Sequence, residues 1–187
     1  MKFITGIILV VISLVILVAT YFPLLKNEVN YKINKNNTEN KNEINPINTD
    51  FGLVIPKLDI NVKVIKNINP YDANIYQKAL TQGVAHAQGS ALPGETGNIF
   101  IFSHSSENFY DAIRFNSIFY LLSKLIIGDS ITLYFEGNRF DYKVIEKKII
   151  NAEEISYLSP KSDKSSLTLM TCYPPGTNFK RLIVVAK

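Results

Sequence analysis

From Phe3 to Leu25 the chain carries no charged residue, and this run limits what the polypeptide can become more than any other feature. Isoleucine, leucine and valine dominate it, as in Ile7-Ile8-Leu9-Val10-Val11-Ile12. It exceeds the ~20 apolar residues that a helix needs to cross the hydrocarbon core of a bilayer. In lipid a single segment satisfies its own backbone only as a helix. The apolar region of a cleaved signal peptide is shorter, ~7–15 residues, and ends in small residues. Val18-Ala19-Thr20 makes a poor cleavage site. Residues 1–25 are therefore expected to be an uncleaved membrane anchor. Lys2 precedes the run while Lys26, Lys32 and Lys35 follow it, so charge bias does not set its orientation.

Residues 26–50 are rich in Asn, Lys, Glu and Ile and have no clear period. Asn36-Asn37 and Asn40-Lys41-Asn42 cannot build an amphipathic face, and such composition reads as a flexible, solvated tether. The remaining stretch, 51–187, is long enough for one ordinary domain. It holds 15 Lys+Arg against 12 Asp+Glu, scattered and not gathered into a stripe, which speaks against nucleic-acid binding. The whole chain has one cysteine, so no intramolecular disulfide framework exists. Cys172 is either an apolar filler or a free thiol with a role.

Within 51–187 the pattern is that of short strands. Gly52-Leu53-Val54-Ile55 is stopped by Pro56, and Ile60-Asn61-Val62-Lys63-Val64 alternates as a half-buried strand does. Gly97 to Phe102 is a mostly apolar strand ending at Ser103-His104. Ser130 to Phe135 and Phe140 to Val144 flank Glu136-Gly137-Asn138, a hairpin signal. Ser166 to Thr171 leads into Cys172, a turn follows at Tyr173-Pro174-Pro175-Gly176-Thr177, and a last strand opens at Lys180-Arg181. Two short helices are expected, over 70–81 and over 108–122; in the second, Ala112, Phe115, Phe119 and Leu122 share a side. Between the first helix and the Gly97 strand, Gly83-Val84-Ala85-His86 leads into a loop of small residues. Seven or eight short strands with two helical insertions fit a mostly β fold closed, or nearly closed, into a barrel.

A cysteine nucleophile acts as its thiolate, and a free thiol with a pKa near ~8.5 needs a base or a cation beside it. Only His86 and His104 are available as bases. His104 ends an apolar strand and precedes the polar Ser105-Ser106-Glu107, which places it at a barrel rim; His86 sits in the small-residue loop. The guanidinium of Arg181 returns beside the thiol on the next strand, and it does not deprotonate in proteins.

Three ordered segments resemble the sortases, cysteine transpeptidases that cut a sorting signal and attach the protein to an amine. Gly83-Val84-Ala85-His86, Gly89 to Gly94 and Gly97-Asn98-Ile99-Phe100-Ile101-Phe102-Ser103-His104 resemble the segment preceding the family's catalytic histidine. Thr168-Leu169-Met170-Thr171-Cys172 resembles the nucleophile motif, and Arg181 falls where the family's arginine is expected. The resemblance implies a sortase-like barrel with His104, Cys172 and Arg181 as the catalytic set and His86 outside it. It further implies a Leu-Pro-x-Thr-Gly-like signal on exported proteins, an amine of the cell envelope as acceptor, and a catalytic domain on the extracytoplasmic side of the membrane. Ser103 stands where the family often has glycine. The chain stops six residues after Arg181, and the region before Phe51 lacks an aromatic-acidic lid segment. Both features point away from the pilus-polymerising subgroup.

Thr171 should face away from Cys172 by strand alternation and is left out of the catalytic set. Glu107, Asp111 and Asp129 are not distinguished from solvated surface acids. Glu153-Glu154 alone is a poor calcium ligand set, so neither metal nor cofactor is expected. An L,D-transpeptidase would want His and Gly before its cysteine, where Met170-Thr171 stand. A non-catalytic envelope-binding module on the same barrel is the alternative from another class.

Overall fold

The computed structural model describes residues 2–35, 44–105, 117–154 and 165–187. Eight strands close into a barrel: β1 (Phe51–Ile55), β2 (Ile60–Ile68), β3 (Val84–Ala87), β4 (Asn98–Phe102), β5 (Ser130–Phe135), β6 (Asn138–Asn151), β7 (Ser166–Tyr173) and β8 (Lys180–Ala186). Around the barrel they run β1-β2-β3-β4-β7-β8-β6-β5, with β5 closing back on β1. The inner faces of β1, β4, β5, β7 and β8 fill the interior with Leu53, Ile55, Ile99, Ile101, Ile131, Leu133, Leu167, Leu169, Leu182 and Val184, joined by Val64, Val84 and Val144 from β2, β3 and β6. Burying each such side chain stabilises the fold by about 1.5–3 kcal/mol. Closure leaves no open sheet edge among the described strands.

A 34-residue helix α1 (Lys2–Lys35) precedes the barrel and continues ten residues beyond the uncharged run. Among the described residues no helix is long and apolar enough to cross a membrane; along α1 the longest stretch of described side chains covers 6–18. The polar residues entering the barrel are held to it. Asn61 Nδ2–H donates to the Asn45 carbonyl and the Ile47 N–H to Asn61 Oδ1, while Glu136 and Gly137 N–H groups donate to the carbonyls of Asp50 and Thr49.

Helix α2 (Ala73–Leu80) falls within the expected 70–81 and starts later because Asp72 is its N-cap. The Asp72 carboxylate accepts from the N–H groups of Asn74 and Ile75, satisfying donors that the first turn leaves unpaired. The helix lies on the outer face of the barrel, where Leu80 packs with Ala85, Ala87, Phe100 and Phe102, and Tyr76 and Met170 border the cluster. Most of the helix expected over 108–122, including Ala112 and Phe115, lies outside the described residues. Its end is described: Phe119 and Leu122 are fully buried, and a 3-10 turn runs over Leu122–Lys124.

Candidate active site

Two pairing rules bring the candidate residues to one place. Strands β4 and β7 are parallel, with Phe102, the last residue of β4, opposite Met170, so β4 ends beside the last turn-ward stretch of β7. Two residues further, on the same face by alternation, come His104 and Cys172. Strand β8 returns antiparallel to β7 with Arg181 directly opposite Cys172, and directly opposed residues share a face with Cα atoms about 4.5–5.5 Å apart. The parallel pair sets the histidine beside the cysteine, and the hairpin sets the arginine on the other side.

The lip is fixed by hydrogen bonds that continue the sheet after β4 ends. The Ser103 N–H donates to the Met170 carbonyl (3.2 Å), and the Phe119 N–H donates to the His104 carbonyl (3.3 Å). Thr171 Oγ1–H donates to the Ser103 carbonyl across the strand pair (2.8 Å). Thr171 is 3% exposed, so its hydroxyl serves the backbone beneath His104. Ser103 is buried, and its Oγ has no hydrogen-bond partner among the described residues. Glycine at this position would present no such group.

A cavity of about 130 Å³ lies over these residues. Its polar end is His104, Cys172 and Arg181; Pro70, Tyr76, Leu80, Phe102 and Met170 form its apolar wall. His104 is 7% exposed, and Cys172 and Arg181 are half-buried. The Arg181 Nη1 donates to the carbonyls of Asn178 (3.0 Å) and Lys180 (3.1 Å), which orients the fork without cancelling its charge. The apolar wall, contributed largely by α2 and the turn before it, was not legible as part of a site. Tyr76 and Leu80 recur at helical spacing and read simply as a buried face.

His86 lies elsewhere. In β3 it is 2% exposed and its ring centroid is 5.6 Å from that of Phe51. The Asn67 N–H donates to its Nδ1 (3.2 Å), which leaves Nε2 to donate to the Ala91 carbonyl (3.0 Å), with Ser90 Oγ also at 2.9 Å. Burial pushes its pKa below the ordinary histidine value, and nearby Lys66 adds to this against the opposing Ala91 hydrogen bond and Glu95. The ring is thus a neutral brace for the 88–97 loop.

Of the acids set aside in the sequence, Glu107 and Asp111 lie outside the described residues. Asp129 accepts from Lys57 Nζ (2.8 Å) and from the Ile126 N–H (2.7 Å). Among the described residues no cluster of His, Cys, Asp and Glu has the arrangement to hold a metal ion. A larger cavity, about 420 Å³, opens on the outer face of β1, β5 and β6 beside Thr132, Arg139 and Asp141. Its lining includes neither a cysteine nor a histidine, so volume does not decide between the two.

The fold and the lip together define a class: a closed eight-stranded barrel presenting a thiol, an imidazole and a guanidinium in one small cleft. The Sortase domain family matches residues 53–187, and the chain belongs to that family. Over 138 residues it is 27% identical to Sortase D of Bacillus subtilis (strain 168), covering 72% of this chain and 61% of that protein. The chain thus spans about three fifths of that relative's length. Among solved structures it resembles Sortase A from Corynebacterium diphtheriae, at 28% identity and a TM-score of 0.62, covering 74% of this chain and 60% of the other. Sortase C1 of GBS Pilus Island 1 shares the fold, at 24% identity and a TM-score of 0.62, covering 73% and 62%. These neighbours span three differently lettered sortases, one of them from a pilus island, so fold likeness assigns no subgroup. The family's homologues are cysteine transpeptidases.

Proposed function

We propose that this chain is a membrane-anchored cysteine transpeptidase that cleaves a Leu-Pro-x-Thr-Gly-like sorting signal on exported proteins and transfers them to an amine of the cell envelope. The observation that carries the reading is the convergence of His104, Cys172 and Arg181 on one cleft at the barrel lip. Cys172 attacks the carbonyl carbon of the scissile peptide as its thiolate, giving a tetrahedral oxyanion. Collapse breaks the C–N bond, and the His104 imidazolium gives its proton to the departing amine. A thioester remains on Cys172. An incoming amine then attacks the same carbon, loses its proton to His104, and expels the Cys172 thiolate. Arg181 stabilises the oxyanion of both steps with a charge that does not titrate.

Residues 3–25 form the anchor in this reading, single-pass, with the barrel on the extracytoplasmic side. Its supports are the absence of charge over that run and the exposure of its described aliphatics, which ranges from 49% at Ile12 to 67% at Leu9. A helix apolar all round belongs in lipid or in a protein core. We assign the chain outside the pilus-polymerising subgroup because residues 26–50 contain no aromatic-acidic segment able to occupy the cleft. The test uses the full chain in detergent with Leu-Pro-x-Thr-Gly-like peptides and a small amine acceptor. Transfer product from the native protein and none from His104→Ala is the expected result; equal product from both removes the assigned mechanism.

A further inference from the structure

The barrel touches α1 toward that helix's C-terminal end. Every described side chain over 4–22 is exposed, whereas Glu28 is half-buried and its carboxylate lies 3.5 Å from Lys124 Nζ. The helix also meets Pro56–Leu58, a 3-10 turn between β1 and β2. Glu28 comes three residues after Leu25, where the uncharged run ends. At the rise of an α-helix this is only about 4.5 Å along the axis. With residues 3–25 as an anchor, the Lys124 side of the barrel therefore stands at the level of the lipid headgroups.

Just past Lys124 the chain presents two aliphatic side chains to solvent. Ile126 and Ile127 are 58% and 72% exposed, and Ile145, next to the Val144 carbonyl that accepts from the Gly128 N–H, is 43% exposed. Single exposed aliphatics are ordinary on a surface, but this pair sits on a turn that is firmly held. The Asp129 carboxylate accepts from the Ile126 N–H (2.7 Å), and the Asp129 N–H donates back to the Ile126 carbonyl (3.2 Å). Lys147 Nζ donates to the carbonyls of Ser123 (2.8 Å) and Leu125 (2.7 Å), and the Lys57–Asp129 ion pair ties the turn to Pro56–Leu58. A tip fixed in this way loses little conformational freedom when it is buried. The flanking cations are matched, Lys57 by Asp129 and Lys124 by Glu28. Apolar burial, more than attraction to anionic lipid, is then what the turn offers a bilayer.

We propose that the Ile126–Ile127 turn is a second membrane contact, seated at the headgroup–acyl boundary of the bilayer that carries α1. This rests on the anchor reading given above. One helix leaves the barrel free to swing about the helix end, and a second contact fixes its tilt. The stretch leading into the turn includes Phe119, whose N–H donates to the His104 carbonyl. The contact thereby sets how the catalytic lip stands over the bilayer.

The test places an environment-sensitive fluorophore on single cysteines of the full chain in a Cys172→Ala background. The labelled protein is reconstituted in phosphatidylcholine vesicles, with and without lipid carrying a nitroxide on its acyl chain. Labels sit at Ile127→Cys, at Val15→Cys in α1 and at Tyr71→Cys. Tyr71 is 71% exposed and follows β2, whose nine residues carry the chain about 26 Å from Pro56–Leu58. Nitroxide lipid should remove much of the fluorescence at Val15 and Ile127 and leave Tyr71 bright. The Ile127 emission should be blue-shifted from that at Tyr71, and high salt, which screens exposed charges, should not restore it. If Ile127→Cys does not fold, Ile126→Cys carries the label. Quenching at Val15 without quenching at Ile127 overturns the contact and leaves the anchor standing. No quenching at Val15 removes the anchor reading, and the contact with it. A blue shift at Ile127 that nitroxide lipid does not quench makes a second copy of the chain the occupant and overturns the proposal. Loss of the Ile127 quenching in high salt, or equal quenching at Tyr71, overturns it as well.

Discussion

Replacing Thr171 by valine removes one hydroxyl and almost no volume, so its effect isolates a single hydrogen bond. That bond, 2.8 Å to the Ser103 carbonyl, joins the strand carrying the thiol to the segment carrying the imidazole. Thr171 and Ser103 are both buried, at 3% and 5% exposure, so water does not readily replace the lost donor. An acceptor left unsatisfied in such a place costs about 1–3 kcal/mol. With a denaturant slope of about 2 kcal/mol per molar urea, typical of a small domain, this lowers the unfolding midpoint by about 0.5–1.5 M. Thr171→Ser keeps the donor and should recover most of the loss. The assay is urea unfolding followed by circular dichroism, with transfer activity measured on the folded variants. Activity should fall in Thr171→Val by more than any unfolded fraction accounts for, because the backbone under His104 is released. A Thr171→Val midpoint equal to the native one would refute the idea that this bond fastens the two strand ends.

Two further outcomes are expected. Arg181→Ala should lower transfer about 100- to 1,000-fold. Arg181→Lys should restore little, since a point charge does not reproduce an oriented fork, and full activity in Arg181→Lys would contradict that role. The neutral, buried His86 predicts acid sensitivity of the fold. Its folded pKa lies below its value of 6.5 in the unfolded chain, so on acidification the unfolded chain binds the proton first. Stability is then complete above pH 6.5 and declines as pH falls from 6.5 toward the depressed folded value. Urea midpoints measured across that window should slope downward in the native protein and flatten in His86→Gln.

Several elements could be read directly from residue order, and each for a local reason. The β5–β6 hairpin was legible because Glu136 and Gly137, with φ of 50° and 79°, take the left-handed conformations of the two-residue turn that suits twisted strands. Cys172 and Arg181 were legible as neighbours because only a short turn separates their strands. Strand β3 was not read as a strand. Val84–Ala87 is only four residues, Val-Ala-His-Ala, and its parallel partner β2 and antiparallel partner β4, not its own pattern, make it a strand. Strand β6 was expected over 140–144 but runs Asn138–Asn151, because its first half pairs with β5 and its second with β8 across a register shift between Val144 and Glu146. That shift and the charged Glu146-Lys147-Lys148 break the alternation on which a strand reading depends. The contribution of α2 to the cleft was hidden for a related reason. It depends on where a helix docks on the outside of a barrel, and no short-range pattern records that.

The most direct test of the account is the mass of the intact protein after incubation with Leu-Pro-x-Thr-Gly-like peptides, before any amine is added. The account predicts an adduct equal to the acyl portion of the peptide on the native chain, sensitive to hydroxylamine and absent from Cys172→Ala. The same adduct on Cys172→Ala, or none on the native chain with any such peptide while iodoacetamide still labels Cys172, would contradict it.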